Sequence, residues 1–263
     1  MEMTINREDQ AADAFIGIRR LFGETAWRRV QGASVGVIGV GGVGSWAAEM
    51  LVRSGVGRVL LIDLDDICLT NVNRQLQALP ETVGRLKVEV LAERLRSISP
   101  QCEVVPVAQF FTESTAERHL SMCPDGVVDA IDSIRHKAAL VAACQRLGVP
   151  LVVSGAAGGR CDPCRVRCQD LAQATHDPLL RELRKRLRRE YGFPKDELQP
   201  FGIPAIHSDE LPTYPDGEGG VCDTRPAGTR MRVACDSTIG SAGYVTATFG
   251  MAAAGRLLEK LKS

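Results

Sequence analysis

The residues best suited to chemistry begin with a glycine-rich turn and an acid. Residues 39–44 read GVGGVG, and Gly39, Gly41 and Gly44 fit the spacing G-x-G-x-x-G between an apolar run and a helical pattern. Such glycines let backbone N–H groups approach a phosphate or a ribose at the start of a helix. Asp63 ends the next apolar run, where a carboxylate can accept hydrogen bonds from both ribose hydroxyls. These features predict a nucleotide site; the alternative is a turn that only packs a helix, beside a solvated acid.

Amides and cations crowd the segment that follows Asp63. Asn71, Asn73 and Arg74 lie in TNVNRQ, and Lys87 falls early in a later helical pattern. Arg74 offers a forked donor to phosphate oxygens, and Lys87 offers a point charge. A nicotinamide dehydrogenase has no evident use for these groups, and the sequence offers no strong candidate for its catalytic acid or base. The cluster therefore favours ATP over a dinucleotide.

Asp132 ends the predicted strand at 126–131, at the sheet edge where ligands bind in such folds, and its carboxylate can hold Mg²⁺. Adenylation, in which a carboxylate attacks the α-phosphate of ATP, needs cations to neutralise the triphosphate, donors to orient it and an acid to bind the metal. Arg74, Lys87 and Asp132 provide these groups. A surface Arg74 and a helix-capping Asp132 are ordinary alternatives for each residue taken alone.

Strands and helices alternate along the first part of the chain. Buried strands are predicted at 34–40, 58–62, 103–107, 126–131 and 150–155, and helices at 43–54, 82–97, 113–121 and 135–147. The alternation predicts a Rossmann-like, doubly wound α/β sheet that is mostly parallel and has helices on both faces. A helical arm within residues 1–33 precedes this ATP-binding core, which covers 34–159.

The pattern breaks after Gly159. Residues 160–170 are expected to be extended, 178–191 to form a basic helix, 192–231 to lack periodic structure, and about 240–261 to form a final helix. The region 160–263 is thus an irregular, substrate-side extension of one domain that spans 1–263. The long stretch without periodicity is expected to be a functional or mobile loop.

Composition is that of a soluble globular protein. Of 263 residues, 44% are hydrophobic and 24% are charged, which is enough to bury a core. The formal net charge is zero, so affinity for RNA must come from a local patch. Nine cysteines without a secretory leader indicate reduced thiols and a cytoplasmic location. Residues 237–255 carry no charge, but their Ser, Thr and Gly content favours a packed helix over a membrane span.

The cysteines of the second half allow two roles. Cys161 and Cys164 have the spacing of half a zinc knuckle, and Cys168 follows, but no second C-x-x-C completes a site, so ordinary thiols are expected. Cys222 and Cys235 lie in the glycine-rich stretch. Nucleophilic catalysis by either stays open, although no histidine adjoins them in the sequence.

Motifs along the chain resemble those of a known family. GVGGVG, DLDD, TNVNRQ, VGRLKVE and DAIDS occur in the order and spacing found in the ATP-dependent adenylyltransferases of the ubiquitin-activating-enzyme-like superfamily, which includes ThiF. Further stretches resemble the branch that acts on threonylcarbamoyladenosine in tRNA, and they extend over essentially the whole chain: RLFGE, GGVGSWAAE, NRQLQAL, GAAGGRCDP and GYVTATFG. The resemblance implies an adenylating enzyme on a Rossmann-like, homodimeric scaffold.

The resemblance also implies roles for individual residues. Carried over by position, the ATP site comprises Gly39, Gly41, Gly44 and Asp63 for adenosine and ribose, Asn71, Asn73, Arg74 and Lys87 for the triphosphate, Asp132 for Mg²⁺, and Ser133 beside it. Arg20 matches an arginine that reaches across the dimer to the phosphates, with Arg19 as the adjacent alternative.

The implied reaction starts from the carboxylate of the threonylcarbamoyl group beside the anticodon. ATP activates it as an acyl-adenylate, an internal nitrogen or oxygen closes a ring, and AMP leaves. A monovalent cation (Na⁺ or K⁺) and a cysteine desulfurase or sulfur-acceptor partner stay open. The alternatives are an adenylyltransferase for the C-terminal glycine of a small sulfur-carrier protein, which typically has two C-x-x-C pairs, and a noncatalytic nucleotide-binding adaptor.

The basic helix at 178–191 offers the expected tRNA a contact surface. Arg181, Arg184, Lys185 and Arg188 are the candidates to neutralise its phosphates. Charge runs more often form solvated faces, so this assignment depends on the tRNA substrate.

Overall fold

The computed structural model describes residues 14–196, 198–224 and 239–263, and a seven-stranded sheet is its centre. The strands are β1 Ser34–Ile38, β2 Arg58–Ile62, β3 Glu103–Val107, β4 Gly126–Asp129, β5 Leu151–Ser154, β6 Val166–Asp170 and β7 Pro204–Ser208. Their order is β3-β2-β1-β4-β5-β7-β6, and all pairs are parallel except β6 with β7. A separate hairpin pairs β8 Tyr214–Pro215 with β9 Val221–Cys222. The predicted doubly wound, mostly parallel fold is confirmed.

Helices cover both faces of the sheet. They are α1 Ile16–Phe22, α2 Glu24–Gly32, α3 Gly44–Arg53, α4 Lys87–Ile98, α5 Ala116–Ser121, α6 Ile134–Leu147, α7 Pro178–Glu190 and α8 Gly243–Lys262. Successive strand residues point to opposite faces, so Val37 packs in the core formed with α3, α4 and α8, whereas Ile38 packs in the core formed with α5, α6 and α7. Because both faces of the central strands are buried, β1, β2, β4 and β5 are mainly apolar in the sequence.

Strand β4 ends earlier than predicted. Its ladder with β1 stops at the pair Ile38 and Asp129, whereas the prediction continued to residue 131. The ladder stops because β1 itself ends there, where Gly39 adopts φ of 85° and turns the chain away. Asp132 therefore lies beyond the strand, in the turn that leads into α6, and does not end the strand.

The expectation of no periodic structure over 192–231 is wrong for β7 and for the short hairpin of β8 and β9. Strand β7 lies between β5 and β6, and all five of its residues are buried. It begins with a proline and contains polar residues, so it lacks an apolar run. His207, for example, lies with Nδ1 3.1 Å from the Thr175 carbonyl oxygen and Nε2 2.9 Å from Gln169 Oε1. The predicted extended segment at 160–170 contains β6.

The helix near the end of the chain lies where the sequence predicts it. α8 packs mainly against α3 and also against β4, β5 and β7, so its many small residues serve close packing. Within the three described ranges, no helix has the length and apolar character needed to cross a membrane.

Candidate active site

A cleft opens beyond the carboxyl ends of β1, β2, β4 and β5. β1 has β2 on one side and β4 on the other, and ligands bind at such switch points in doubly wound sheets. The predicted nucleotide residues that line the cleft are Gly39, Gly41, Asp63, Arg74, Lys87, Asp132 and Ser133. The fold therefore brings together residues from five separate segments of the sequence.

The glycine-rich turn forms one wall of the cleft. Two features require glycine at position 39. Its backbone is left-handed, with φ of 85°, and a Cβ there would lie 2.8 Å from the carbonyl oxygen of Ala130. Gly44 does not line the cleft; a Cβ on it would lie 1.8 Å from the Gly39 carbonyl oxygen, so it serves the packing of the turn. A Cβ at Gly41 would meet only Gln75 Nε2, at 3.8 Å, so the backbone of this residue is accessible from the cleft.

Asp63 follows β2 and is fixed by two backbone donors. Its Oδ2 accepts a hydrogen bond from the Val40 N–H at 2.8 Å, and its Oδ1 accepts one from the Asp65 N–H at 2.9 Å. Burial raises the pKa of this carboxyl, and the Lys87 ammonium opposes the rise. Each oxygen keeps acceptor capacity for a ribose hydroxyl, so the geometry suits the predicted role.

Lys87 and Arg74 place positive charge on the same cleft. Lys87 is the first residue of α4, and its Nζ lies 2.8 Å from Asp65 Oδ2. Arg74 Nη1 donates to the Thr70 carbonyl oxygen at 2.7 Å and to Asn73 Oδ1 at 2.9 Å. Burial lowers the pKa of the Arg74 guanidinium, which nevertheless stays charged at neutral pH. Since an arginine carries five N–H donors, Arg74 retains donors for phosphate oxygens.

The two predicted amides support this segment and do not line the cleft. Asn71 is 3% exposed, and its Oδ1 accepts a hydrogen bond from the Cys68 N–H at 3.1 Å. Asn73 donates from Nδ2 to the Ser241 carbonyl oxygen at 2.9 Å, while its Oδ1 holds Arg74. Gln75, which was not among the predicted residues, lines the cleft instead.

Asp132 and Ser133 line the cleft in the turn before α6. Asp132 is exposed and makes no hydrogen bond or ion pair with any residue that the structure describes, and no side chain caps α6. Both carboxylate oxygens are therefore open to a ligand. This donor set fits Mg²⁺, which proteins commonly hold through one or two carboxylates together with substrate phosphates.

A buried ion pair lies beneath that turn and was not predicted. Asp129 at the end of β4 and Lys137 in α6 are both fully buried, with Nζ 3.0 Å from Oδ1. Burial raises the pKa of Asp129, and Lys137 opposes the rise. One signal was present in the sequence: Lys137 shares a helical face with Leu140, Val141 and Cys144, all buried.

The loop after β5 closes the cleft on another side. Residues 155–158 line it, and the Ala156 N–H donates to Asp177 Oδ2 at 2.9 Å. The other oxygen of Asp177 caps α7 by accepting from the Leu180 N–H at 3.0 Å. Arg160, which is 2% exposed, donates to two backbone carbonyls of the loop. One carboxylate thus ties the cleft wall to the start of the basic helix.

Aromatic side chains line the cleft without any spacing that would have marked them in the sequence. Phe110, Phe111 and His136 all contribute, and the rings of Phe110 and His136 are 6.3 Å apart. They give this side of the cleft an apolar surface suited to a flat ring.

Arg20 is exposed on α1 and does not line the cleft of its own chain. The predicted contact across a dimer is therefore not tested by a single chain.

The basic residues of α7 divide between two faces. Arg184 donates to the Ala174 carbonyl oxygen at 2.7 Å, and Arg188 donates to the Pro194 carbonyl oxygen at 3.0 Å, so both are directed toward the protein. The outward residues are Arg181, Lys185 and Arg189, spaced four apart along one side. We call these three residues the α7 stripe.

The cysteines within the described ranges form no cluster of metal ligands. Cys161, Cys164 and Cys168 are exposed free thiols, and no group of three or more potential metal ligands occurs in the described part of the chain. Cys222 does not line the cleft; its Sγ donates to the Thr224 carbonyl oxygen at 3.1 Å. Cys235 lies outside the described residues.

The chain is similar to known proteins over nearly its whole length. The chain is 44% identical over 260 residues to the tRNA threonylcarbamoyladenosine dehydratase of Escherichia coli K12, covering 98% of this chain and 97% of that one. It is 39% identical to the enzyme of the same name from Haemophilus influenzae, covering 97% and 95%. The crystal structure of the E. coli dehydratase in complex with ATP matches with a TM-score of 0.85 and 41% identity, covering 98% and 97%. The model of the ThiF family matches residues 16–262, and the chain therefore belongs to the ThiF family.

Proposed function

We propose that this protein dehydrates threonylcarbamoyladenosine beside the anticodon of tRNA in an ATP-dependent reaction. The observation that carries the proposal is the similarity to the two named dehydratases over nearly the full chain, including the extension after the nucleotide core. The cleft adds support, because it gathers an acid for a ribose, two cations and an acid for a metal. Adenylation requires such a set, whereas hydride transfer does not.

In this proposal each cleft residue has one task. Asp63 accepts hydrogen bonds from the ribose hydroxyls, and the triphosphate lies between the glycine-rich turn, Arg74 and Lys87. Asp132 would hold Mg²⁺, which, when bound, supplies further neutralisation of phosphate charge. Arg74 and Lys87 then stabilise the negative charge that accumulates as pyrophosphate departs.

The chemistry follows in two steps. A carboxylate oxygen of the threonyl group attacks the α-phosphorus of ATP, the bond to the β-phosphate oxygen breaks, and pyrophosphate leaves. A nitrogen or oxygen within the same group then attacks the activated carbonyl carbon and releases its proton, and the bond between that carbon and the AMP oxygen breaks as the ring closes. The nucleophile is tethered to its target, so proximity replaces an enzyme nucleophile. The modified nucleoside loses one water in total.

The α7 stripe is proposed as part of the tRNA contact surface. Arg181 and Lys185 point outward, and the first turn of the same helix reaches the cleft through Leu179. Phosphates along the helix would therefore lead toward the reacting nucleoside. We further propose a cytoplasmic homodimer in which Arg20 reaches the phosphates bound by the other copy, since it does not line its own cleft.

Mass spectrometry of the nucleosides tests the function. Purified protein is incubated with ATP, Mg²⁺ and tRNA that carries threonylcarbamoyladenosine, and the tRNA is then digested. We expect the modified nucleoside to lose the mass of one water, with one AMP released per nucleoside converted. Unchanged nucleoside mass with the folded protein would refute the proposal. Asp132→Ala serves as the matched inactive control, because its exposed side chain has no structural contact among the described residues.

A further inference from the structure

The turn that carries Asp132 is anchored from below by the pair Asp129 and Lys137. Lys137 Nζ donates to the carbonyl oxygen of Ile131 at 3.0 Å and approaches that of Asp129 at 3.4 Å, besides its contact with the carboxylate. Asp129 Oδ1 in turn accepts a hydrogen bond from the Ile131 N–H at 3.0 Å. Both backbone polar groups of Ile131, the residue directly before Asp132, are thus bound by this pair.

The pair is poorly suited to stabilising the fold for its own sake. Neither side chain is exposed, and Asp129 Oδ2 has no hydrogen-bond partner among the described residues. Removing two charges from water costs about as much as their attraction returns, and well-packed apolar residues often replace such pairs without loss. An apolar pair would also leave no oxygen unpaired. An apolar pair could not, however, form hydrogen bonds with the N–H and carbonyl groups of Ile131, so it could not fix the path of the main chain in the turn.

The turn has few other anchors. The Ala130 N–H donates to the Ile38 carbonyl oxygen at 2.9 Å and continues the sheet by one residue. Beyond it, the side chain of Asp132 bonds to no described residue, and Ser133 does not cap α6 with its hydroxyl. The path of the chain between Ala130 and α6 therefore depends chiefly on the two groups of Ile131 that the pair binds.

We propose that Asp129 and Lys137 are positioning residues that direct the Asp132 carboxylate into the cleft and so set the strength of metal binding. Neither lines the cleft, so they act through the turn and not by touching the nucleotide. The inference rests on the proposed function in one respect: it takes Asp132 as the metal ligand. Removal of residues that orient a metal ligand typically weakens metal affinity about 10- to 100-fold.

Mn²⁺ is a suitable probe, because its binding can be followed by electron paramagnetic resonance without turnover. The protein is titrated with Mn²⁺ in the presence of the α,β-methylene analogue of ATP, in which the bond that adenylation breaks cannot be cleaved. The double variant D129N/K137M removes both charges at similar volume and keeps an amide oxygen for the Ile131 N–H. We expect a cooperative thermal melt, Mn²⁺ affinity weakened about tenfold or more, and unchanged affinity for the analogue without metal.

A matched control removes a buried carboxylate elsewhere. Glu49 is 3% exposed, pairs with Arg53 and Arg94, and does not line the cleft, so E49Q should bind Mn²⁺ as the wild type does. Wild-type Mn²⁺ affinity in a cooperatively melting D129N/K137M overturns the positioning role, and so does an equal loss in E49Q. If the double variant does not fold, D129N/K137L, which likewise leaves no buried charge unpaired, is measured in its place with the same two outcomes.

The variant D132N separates this inference from the function on which it rests. Weak Mn²⁺ binding in D132N together with wild-type binding in D129N/K137M refutes the positioning role alone. Wild-type binding in D132N refutes the metal site itself, and the positioning role with it. Hydrogen exchange of the Ile131 amide reports the turn directly and does not depend on activity. It should be faster in D129N/K137M, because a neutral amide oxygen accepts a weaker hydrogen bond than the carboxylate and no ammonium group holds the Ile131 carbonyl.

Discussion

Replacing Asp63 by Asn tests the proposed ribose contact most directly. The carboxylate accepts one backbone N–H on each oxygen, from Val40 and Asp65, and keeps acceptor capacity on both for the ribose hydroxyls. An asparagine retains one acceptor oxygen and turns an NH₂ group toward the other site, so at least one ribose bond is lost. A hydrogen bond to a charged group contributes about 1.5–3 kcal/mol, which corresponds to roughly 10- to 150-fold weaker binding of ATP.

Calorimetric titration with ATP and with 2′,3′-dideoxy-ATP completes a double-mutant cycle. The wild type should lose affinity when the hydroxyls are removed, whereas D63N should lose clearly less, because at least one of the two hydrogen bonds is already gone. A cooperative thermal melt of D63N is the control for folding. If D63N weakens both nucleotides by the same factor, the side chain and the hydroxyls are not coupled, and the assignment of Asp63 to the ribose is refuted.

Three further outcomes are expected. Arg74→Ala should lower AMP formation by about 10²-fold or more while the thermal melt is retained, because the side-chain bonds of Arg74 stay within its own segment; near-normal turnover would contradict its role. Burial raises the pKa of Asp63, and the protonated carboxyl has less acceptor capacity for the ribose hydroxyls. The affinity for ATP should therefore fall as the pH decreases, and it should do so at a pH above the pKa of an ordinary aspartate. The variant D63N should show no such fall in the same titration. The double variant R181A/K185A should reduce the slope of log affinity for tRNA against log salt by roughly 1.5 without changing ATP affinity, whereas R184A, whose side chain is directed toward the protein, should leave the slope nearly unchanged.

The sequence predicts those strands whose apolar residues are contiguous in the chain and also buried in the sheet. Strand β2 is an apolar run that both faces of the sheet bury, and its observed bounds are those predicted. Strand β7 could not be found in this way, because its polar groups are satisfied by residues far away in the sequence. His207 bonds to Gln169 and Thr175, and neither contact can be read from the residues next to His207 in the sequence.

The candidate site also has a part that could be predicted from the sequence and a part that could not. Residue type and position shortly after the carboxyl end of a strand were enough to place Asp63 and Asp132 at the cleft. Side-chain direction within a turn was not predictable, because it depends on local dihedral angles, and Asn71 turns inward to the Cys68 N–H as a result. The partnership of Asp129 with Lys137 requires the helix to be folded over the strand, so its two members could not be matched from sequence alone.

The position of β7 within the sheet has a consequence for the order of folding. β6 precedes β7 in the chain, yet β7 is its partner in the sheet, so β6 has no neighbour until β7 has been added beside β5. Such non-local pairings form only after a long loop has closed. Loop closure costs conformational entropy before any contact is gained, so these pairings slow the folding of a domain. β1 to β5, whose ends carry Asp63 and lead to Asp132, pair without them. Pulse-labelled hydrogen exchange during refolding should therefore show protection of the β1 and β4 amides first, and of the β6 and β7 amides last.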